Sequence, residues 1–116
     1  MRRRTNRIEG LLDRILVKSN GHFVFLKAEE IDWIEAQGNY VRLHTRHKEY
    51  LVRRTIIELE SRLNPKVFFR IHRSTIVNID RIRELQPVSY GNFNVFLDDG
   101  SRLTWSRSYK ERLKEF

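Results

Sequence analysis

Turn-forming residues recur along this chain at intervals that leave room only for short strands. Asn20-Gly21, Gly38-Asn39, Tyr90-Gly91-Asn92 and Asp98-Asp99-Gly100 each separate apolar-rich runs. Asn, Asp and Gly tolerate the positive φ that tight antiparallel hairpins require. The runs between such turns predict strands over Ile15–Lys18, Phe23–Leu26, Ile31–Ala36, Tyr40–Thr45, Glu49–Arg53, Phe68–His72, Ile76–Asn78, Ile82–Gln86, Asn94–Leu97 and Arg102–Trp105. A meander of this kind folds as a sandwich or small barrel.

Two segments break the pattern. Thr55-Ile56-Ile57-Glu58 has the T-x-x-E spacing of a capping box, in which the threonine oxygen accepts from the N3 amide and the glutamate reaches back. Ile56, Leu59 and Leu63 then share one helical face and Asn64-Pro65 stops the run, which predicts a short helix over Thr55–Leu63. Ser106 is placed to cap a second helix over Tyr109–Phe116. Residues 1–14 are basic and polar, with Ile8, Leu11 and Leu12 at roughly helical spacing, and read as a linker or a short helix. With 116 residues, the rest (15–116) suits one domain with one core.

Charge narrows the partners. Hydrophobic residues make up 40% and charged residues 33%, a globular balance, but the net charge is +8 and the pI about 10.3. Such an excess favours polyanions: DNA, RNA or an anionic membrane surface. The chain has no cysteine, which removes disulfides, thiolate metal sites and cysteine nucleophiles and fits a reducing cytoplasm. No apolar run approaches the roughly 20 residues needed to cross a bilayer, and no secretory signal is expected.

Catalysis finds little support. His22, His44, His47 and His72 show no metal-ligand spacing, and no phosphate-binding glycine loop or nucleophile elbow occurs, so neither a metal nor a cofactor is expected. Asp98-Asp99 is explained by the turn that Gly100 completes. His72 and Ser74 could share a strand face as base and nucleophile, but no orienting acid accompanies them.

Three clusters suit nucleic acid. In Phe69–Asn78, FRIHRSTIVN, Phe69 and Ile71 read as buried and Arg70 and His72 as exposed, with Arg73-Ser74-Thr75 forming a loop. Arginine can fork onto guanine, while hydroxyls and amides take phosphates. In Ser106-Arg107-Ser108, followed by Tyr109-Lys110, a helix start offers free amides and Arg107 projects from the first turn. In Gln37-Gly38-Asn39-Tyr40 the side-chain amides could pair with adenine, although a turn needs glycine and asparagine for its backbone alone.

In order along the chain, these segments resemble the LytTR DNA-binding family, the output domain of many bacterial response regulators. The likeness runs through Ile31–Val41 (IDWIEAQGNYV), Leu51–Thr55, Phe68–Asn78, Leu97–Gly100 and Ser106–Tyr109, and covers roughly residues 15–116. The resemblance implies a mainly β fold, antiparallel strands in small packed sheets, β-sandwich-like, with two short helices. It implies sequence-specific duplex binding, with Arg73 and Arg107 reading bases from two loops in successive major grooves of bent promoter DNA. Asn39, Arg73 and Arg107 take the base-contacting positions. Gln37, His72, Ser74, Ser106, Ser108 and Lys110 take phosphate or positioning roles, and Tyr40, Ile71 and Ile76 packing roles. It also implies a homodimer on repeated half-sites, and a receiver or sensor domain upstream, so that this is an excised domain or a stand-alone member. The competing expectation is an RNA- or single-strand-binding β module, with Tyr90, Phe93 and Trp105 as its stacking platform. A protein-interaction domain whose charge serves solubility is a further one.

Overall fold

In a computed structural model, residues 10–116 are described. Ten strands form: β1 (Arg14–Ser19), β2 (His22–Lys27), β3 (Ile31–Gln37), β4 (Tyr40–Thr45), β5 (Glu49–Val52), β6 (Phe68–His72), β7 (Thr75–Asn78), β8 (Ile82–Pro87), β9 (Phe93–Leu97) and β10 (Arg102–Trp105). Helix α1 spans Ile56–Arg62, and a 3-10 helix spans Arg107–Glu115. The fold is therefore mainly β, as the sequence predicts, with each strand within two residues of its expected ends.

Local chemistry accounts for these elements. Asn20 (φ 52) and Gly21 (φ 80) form a two-residue turn that brings Ser19 opposite His22. Both turn residues thus have the positive φ that a tight hairpin needs. Thr55 caps α1, its hydroxyl oxygen accepting from the Glu58 amide at 3.1 Å. The reciprocal half of the expected capping box is not made: Glu58 turns its carboxylate to Arg54, 3.6 Å away. The nearby cation outcompetes a backbone amide for that carboxylate.

The strands form three antiparallel sheets, in the orders β1-β2, β10-β9-β8 and β5-β4-β3-β7-β6. The five-stranded sheet is the middle layer. One of its faces carries Ile34, Val41, Leu43, Phe68 and Ile76 against Ile15, Val17 and Leu26 of the β1-β2 hairpin and Ile56 and Leu59 of α1. Its other face carries Phe69, Ile71 and Val77 against Val95, Leu97, Leu103 and Trp105. Two cores in place of one explain why neighbours such as Phe68 and Phe69, or Ile76 and Val77, are both buried. A strand covered on both faces shows a continuous apolar run instead of alternation.

Residues 1–9, which hold most of the expected basic linker, lie outside the described residues. Leu11 and Leu12 are not helical. The Leu12 amide donates to the Arg62 carbonyl at 2.8 Å, and its side chain packs against the first core.

Candidate nucleic-acid interface

Antiparallel pairing decides where the polar turns gather. β3 ends at Gln37, and its residue Glu35 pairs with Thr75, where β7 begins. The β3–β4 turn and the β6–β7 turn therefore emerge at the same end of the middle sheet. The Ala36 amide donates to the Ser74 carbonyl at 2.9 Å and ties the two turns together. On the free edge of β6, the Ser106 amide donates to the Ile71 carbonyl at 2.7 Å. This fixes the start of the C-terminal helix beside the same turn. At the opposite flank Val41 pairs with Val52, so Arg53 follows β5 at this end too. The three clusters legible in sequence thus form one row: Gln37–Tyr40, His72–Ser74, Ser106–Arg107.

In the first turn Gly38 adopts φ 61 with open space around it. Gln37 is engaged, its Oε1 accepting from Arg42 Nη2 at 2.6 Å. Arg42 is itself held by Glu49 at 3.0 Å. Asn39 is exposed and its amide has no partner among the described residues.

The second turn is built around an arginine that the sequence places in solvent. Arg70 has a side chain only 11% exposed. Its Nε donates to the His72 carbonyl at 2.9 Å, its Nη2 to the Arg73 carbonyl, and its Nη1 to Glu60 of α1 at 2.6 Å. The expectation that Arg70 faces out is corrected: the second covered face of β6 and the carboxylate on α1 draw it in. His72 and Ser74 are also part of this frame. The Ser74 amide donates to His72 Nδ1 at 3.2 Å, which puts the proton of the neutral ring on Nε2, and Ser74 Oγ lies 3.0 Å from the same Nδ1. No carboxylate contacts this ring among the described residues. The pair therefore has the geometry of a turn brace and lacks a triad's orienting acid. Arg73 projects from the turn, exposed, with no counter-ion among the described residues.

The third segment also departs from expectation. The amides at the helix start are not free for phosphate. The Arg107 amide donates to Asn92 Oδ1 at 2.8 Å, the Ser108 amide to Ser106 Oγ at 3.3 Å and the Tyr109 amide to the Ser106 carbonyl at 2.8 Å. What remains available is side chain: exposed Arg107, Ser108 and Lys110, none with a hydrogen-bond or ion-pair partner among the described residues. Asn92 is a supporting residue that sequence reading missed. Its only signal was a turn composition equally suited to backbone needs.

Arg42, Arg54, Arg70, Arg81 and Arg112 all face carboxylates. Among the described residues Arg73 and Arg107 do not, and neither do Arg14, Arg46, Arg53, Arg62, Arg83 and Arg102. Of the three candidate stacking aromatics, Trp105 is buried, edge-on to Phe69 with its Nε1 donating to the Tyr109 carbonyl at 2.9 Å, and Phe93 packs on the second core. Of these three only Tyr90 is exposed, so they form no platform together.

A family model described as the LytTr DNA-binding domain matches residues 21–116. The chain belongs to the LytTr DNA-binding domain family. It is 32% identical over 92 residues to the sensory transduction protein LytT of Bacillus subtilis, covering 79% of this chain and 38% of the relative. It is 33% identical over 89 residues to the transcriptional regulatory protein LytR of Staphylococcus aureus, covering 77% and 36%. The chain thus spans less than two-fifths of the curated relatives it matches. The fold is similar to a solved LytTr DNA-binding domain of a putative methyl-accepting/DNA response regulator from Bacillus cereus. The TM-score is 0.81 at 22% identity, covering 90% of this chain and 95% of that one. Among the described residues no helix is long and apolar enough to cross a membrane.

Proposed function

We propose that this LytTr domain, residues 15–116, binds duplex promoter DNA sequence-specifically as the output unit of a bacterial transcriptional regulator in the cytoplasm. The observation that carries the reading is the row of turns from which Arg73 and Arg107 project, exposed and without counter-ions among the described residues, with Arg53 likewise lacking one at its far flank. Release of condensed counterions draws the domain onto DNA, and neutralising about 4–6 phosphates gives a slope of log K against log salt of roughly −4 to −5. Lys110, Ser108 and His72 Nε2 are disposed to take phosphates. Asn39, Arg73 and Arg107 read bases, each bidentate contact contributing about 1–3 kcal/mol of discrimination.

The row also bears on DNA shape. Arg73 and Arg107 leave adjacent backbone segments, so the widest separation among the readers is from Asn39 to Arg107. That is three to four strand spacings, roughly 17 Å. Successive major grooves lie about 34 Å apart on straight DNA. Outward side-chain reach and a bend toward the protein reconcile the two, with Asn39 in one major groove and Arg73 and Arg107, which leave adjacent segments, sharing the next instead of occupying successive grooves. Bending then adds sequence preference of its own. Two copies on repeated half-sites, joined to a receiver or sensor domain, complete the regulator that the relatives' names suggest.

Competition tests the class of partner. Labelled duplex bound by the domain is challenged with unlabelled duplex and with single-stranded RNA over a salt series. Displacement by duplex alone, with the slope above, is expected. Stronger displacement by single-stranded RNA overturns the reading, and so does the absence of salt-dependent binding.

A further inference from the structure

Between β8 and β9 the chain turns through Val88–Asn92, and one residue of this turn works against stability. Tyr90 adopts φ 63 and ψ 29, in the left-handed region. A Cβ makes that region unfavourable, and glycine or asparagine occupies it at lower cost. Burial does not offset the strain, because Tyr90 is 83% exposed. Its ring and hydroxyl have no partner among the described residues. Strain of this kind persists where the surroundings over-determine it, and it gathers at functional positions.

The turn is also fastened to the Arg107 segment. The Val88 amide donates to the Asn92 carbonyl at 2.9 Å, and Asn92 Nδ2 donates to the Ser89 carbonyl at 3.2 Å. Asn92 Oδ1 accepts the Arg107 amide at 2.8 Å. The stem of Arg107 lies across Gly91, so closely that a Cβ there would sit 3.3 Å from Arg107 Cδ. The backbone that carries Tyr90 is therefore held beside the Arg107 segment, at the outer end of the row of turns.

We propose that Tyr90 is a further DNA-contacting residue, its hydroxyl donating to a phosphate beside the groove that Arg107 enters, with Asn92 as a positioning residue for Arg107. The proposal rests on the duplex-binding reading above. A single hydroxyl at the end of a rigid ring cannot make a bidentate base contact, whereas tyrosine hydroxyls are common phosphate partners. Tyrosine has only two side-chain torsions to fix, so ordering the ring on binding costs little.

Fluorescence anisotropy on a selected target duplex and a scrambled one, paired with thermal melts, tests this. Tyr90→Phe removes only the hydroxyl and is expected to weaken both duplexes alike, roughly tenfold. Tyr90→Asn relieves the backbone strain and is expected to raise Tm by about 2–4 °C while losing the same affinity. Asn92→Ala is expected to lower the target-to-scrambled affinity ratio, which a merely structural loss would not move. Wild-type binding with unchanged affinity in Tyr90→Phe overturns the hydroxyl contact alone. Affinity kept by Tyr90→Phe but lost by Tyr90→Asn overturns it in favour of ring insertion. A fall in Tm for Tyr90→Asn overturns the strain argument, and an unchanged ratio in Asn92→Ala overturns its positioning role. Failure of the wild type to bind either duplex overturns the underlying reading as well.

Discussion

Arg70→Lys separates charge from shape within the second turn. Arg70 joins three acceptors at once: the carbonyls of His72 and Arg73 and the carboxylate of Glu60. Lysine keeps the positive charge, but its single ammonium cannot span all three. At least two of these bonds are lost, and the side chain they serve is 11% exposed. Glu60 is 47% exposed and regains water, so the cost lies mainly with the turn carbonyls. Loss of two bonds from a charged donor costs about 3 kcal/mol, taking the low end of the range. For a domain of this size that lowers Tm by about 12 °C. The loosened turn no longer holds Arg73 in one direction, so the ratio of target to scrambled affinity falls by about tenfold, the equivalent of about 1.4 kcal/mol. The salt slope stays unchanged, because no phosphate contact is lost. Melting curves and anisotropy titrations at several salt concentrations read all three quantities. An unchanged Tm and ratio would refute the bracing role. A slope shallower by about one would show that Arg70 touches phosphate instead.

Two further substitutions probe the scaffold without touching the row of turns. Asn78 is 1% exposed, its Nδ2 donating to the Ile31 carbonyl at 3.0 Å and its Oδ1 accepting from the Asp80 amide at 2.9 Å. Asn78→Ala orphans both partners and is expected to cost about 2–3 kcal/mol in denaturant unfolding. Thr55→Ala removes the cap on α1 and is expected to cost about 1 kcal/mol. At a temperature where the variant stays folded, it should leave the target-to-scrambled ratio intact, as titration would show.

What was legible in sequence divides along the range of the interactions. The Asn20-Gly21 hairpin and the Thr55 cap depend on residues two or three apart, and both could be read from the chain. Layering could not. Pairing of β3 with β7 joins segments about 40 residues apart, and although adjacent Phe68 and Phe69 fit a strand covered on both faces, nothing local reports what covers each face. Arg70 illustrates the consequence. Alternation put it in solvent, but its partners are the carbonyls of a turn still to be formed and a glutamate on a helix ten residues earlier. The three segments of the candidate site are legible from residue chemistry, and their joint assignment to duplex DNA from a family resemblance. That the segments adjoin rests on two backbone hydrogen bonds, Ala36 to Ser74 and Ser106 to Ile71, which no sequence pattern encodes. Arg107 was singled out, but its seat on Gly91 and Asn92 was not, because contacts over 15 residues leave no periodic trace.

Whether Arg73 and Arg107 read DNA sequence is decided by selection of bound duplexes from a random pool, performed in parallel with wild type, Arg73→Ala and Arg107→Ala. The wild type should enrich a defined motif, and each variant should lose preference at a distinct position while still binding duplex. Enrichment of the same motif by all three proteins would contradict that role.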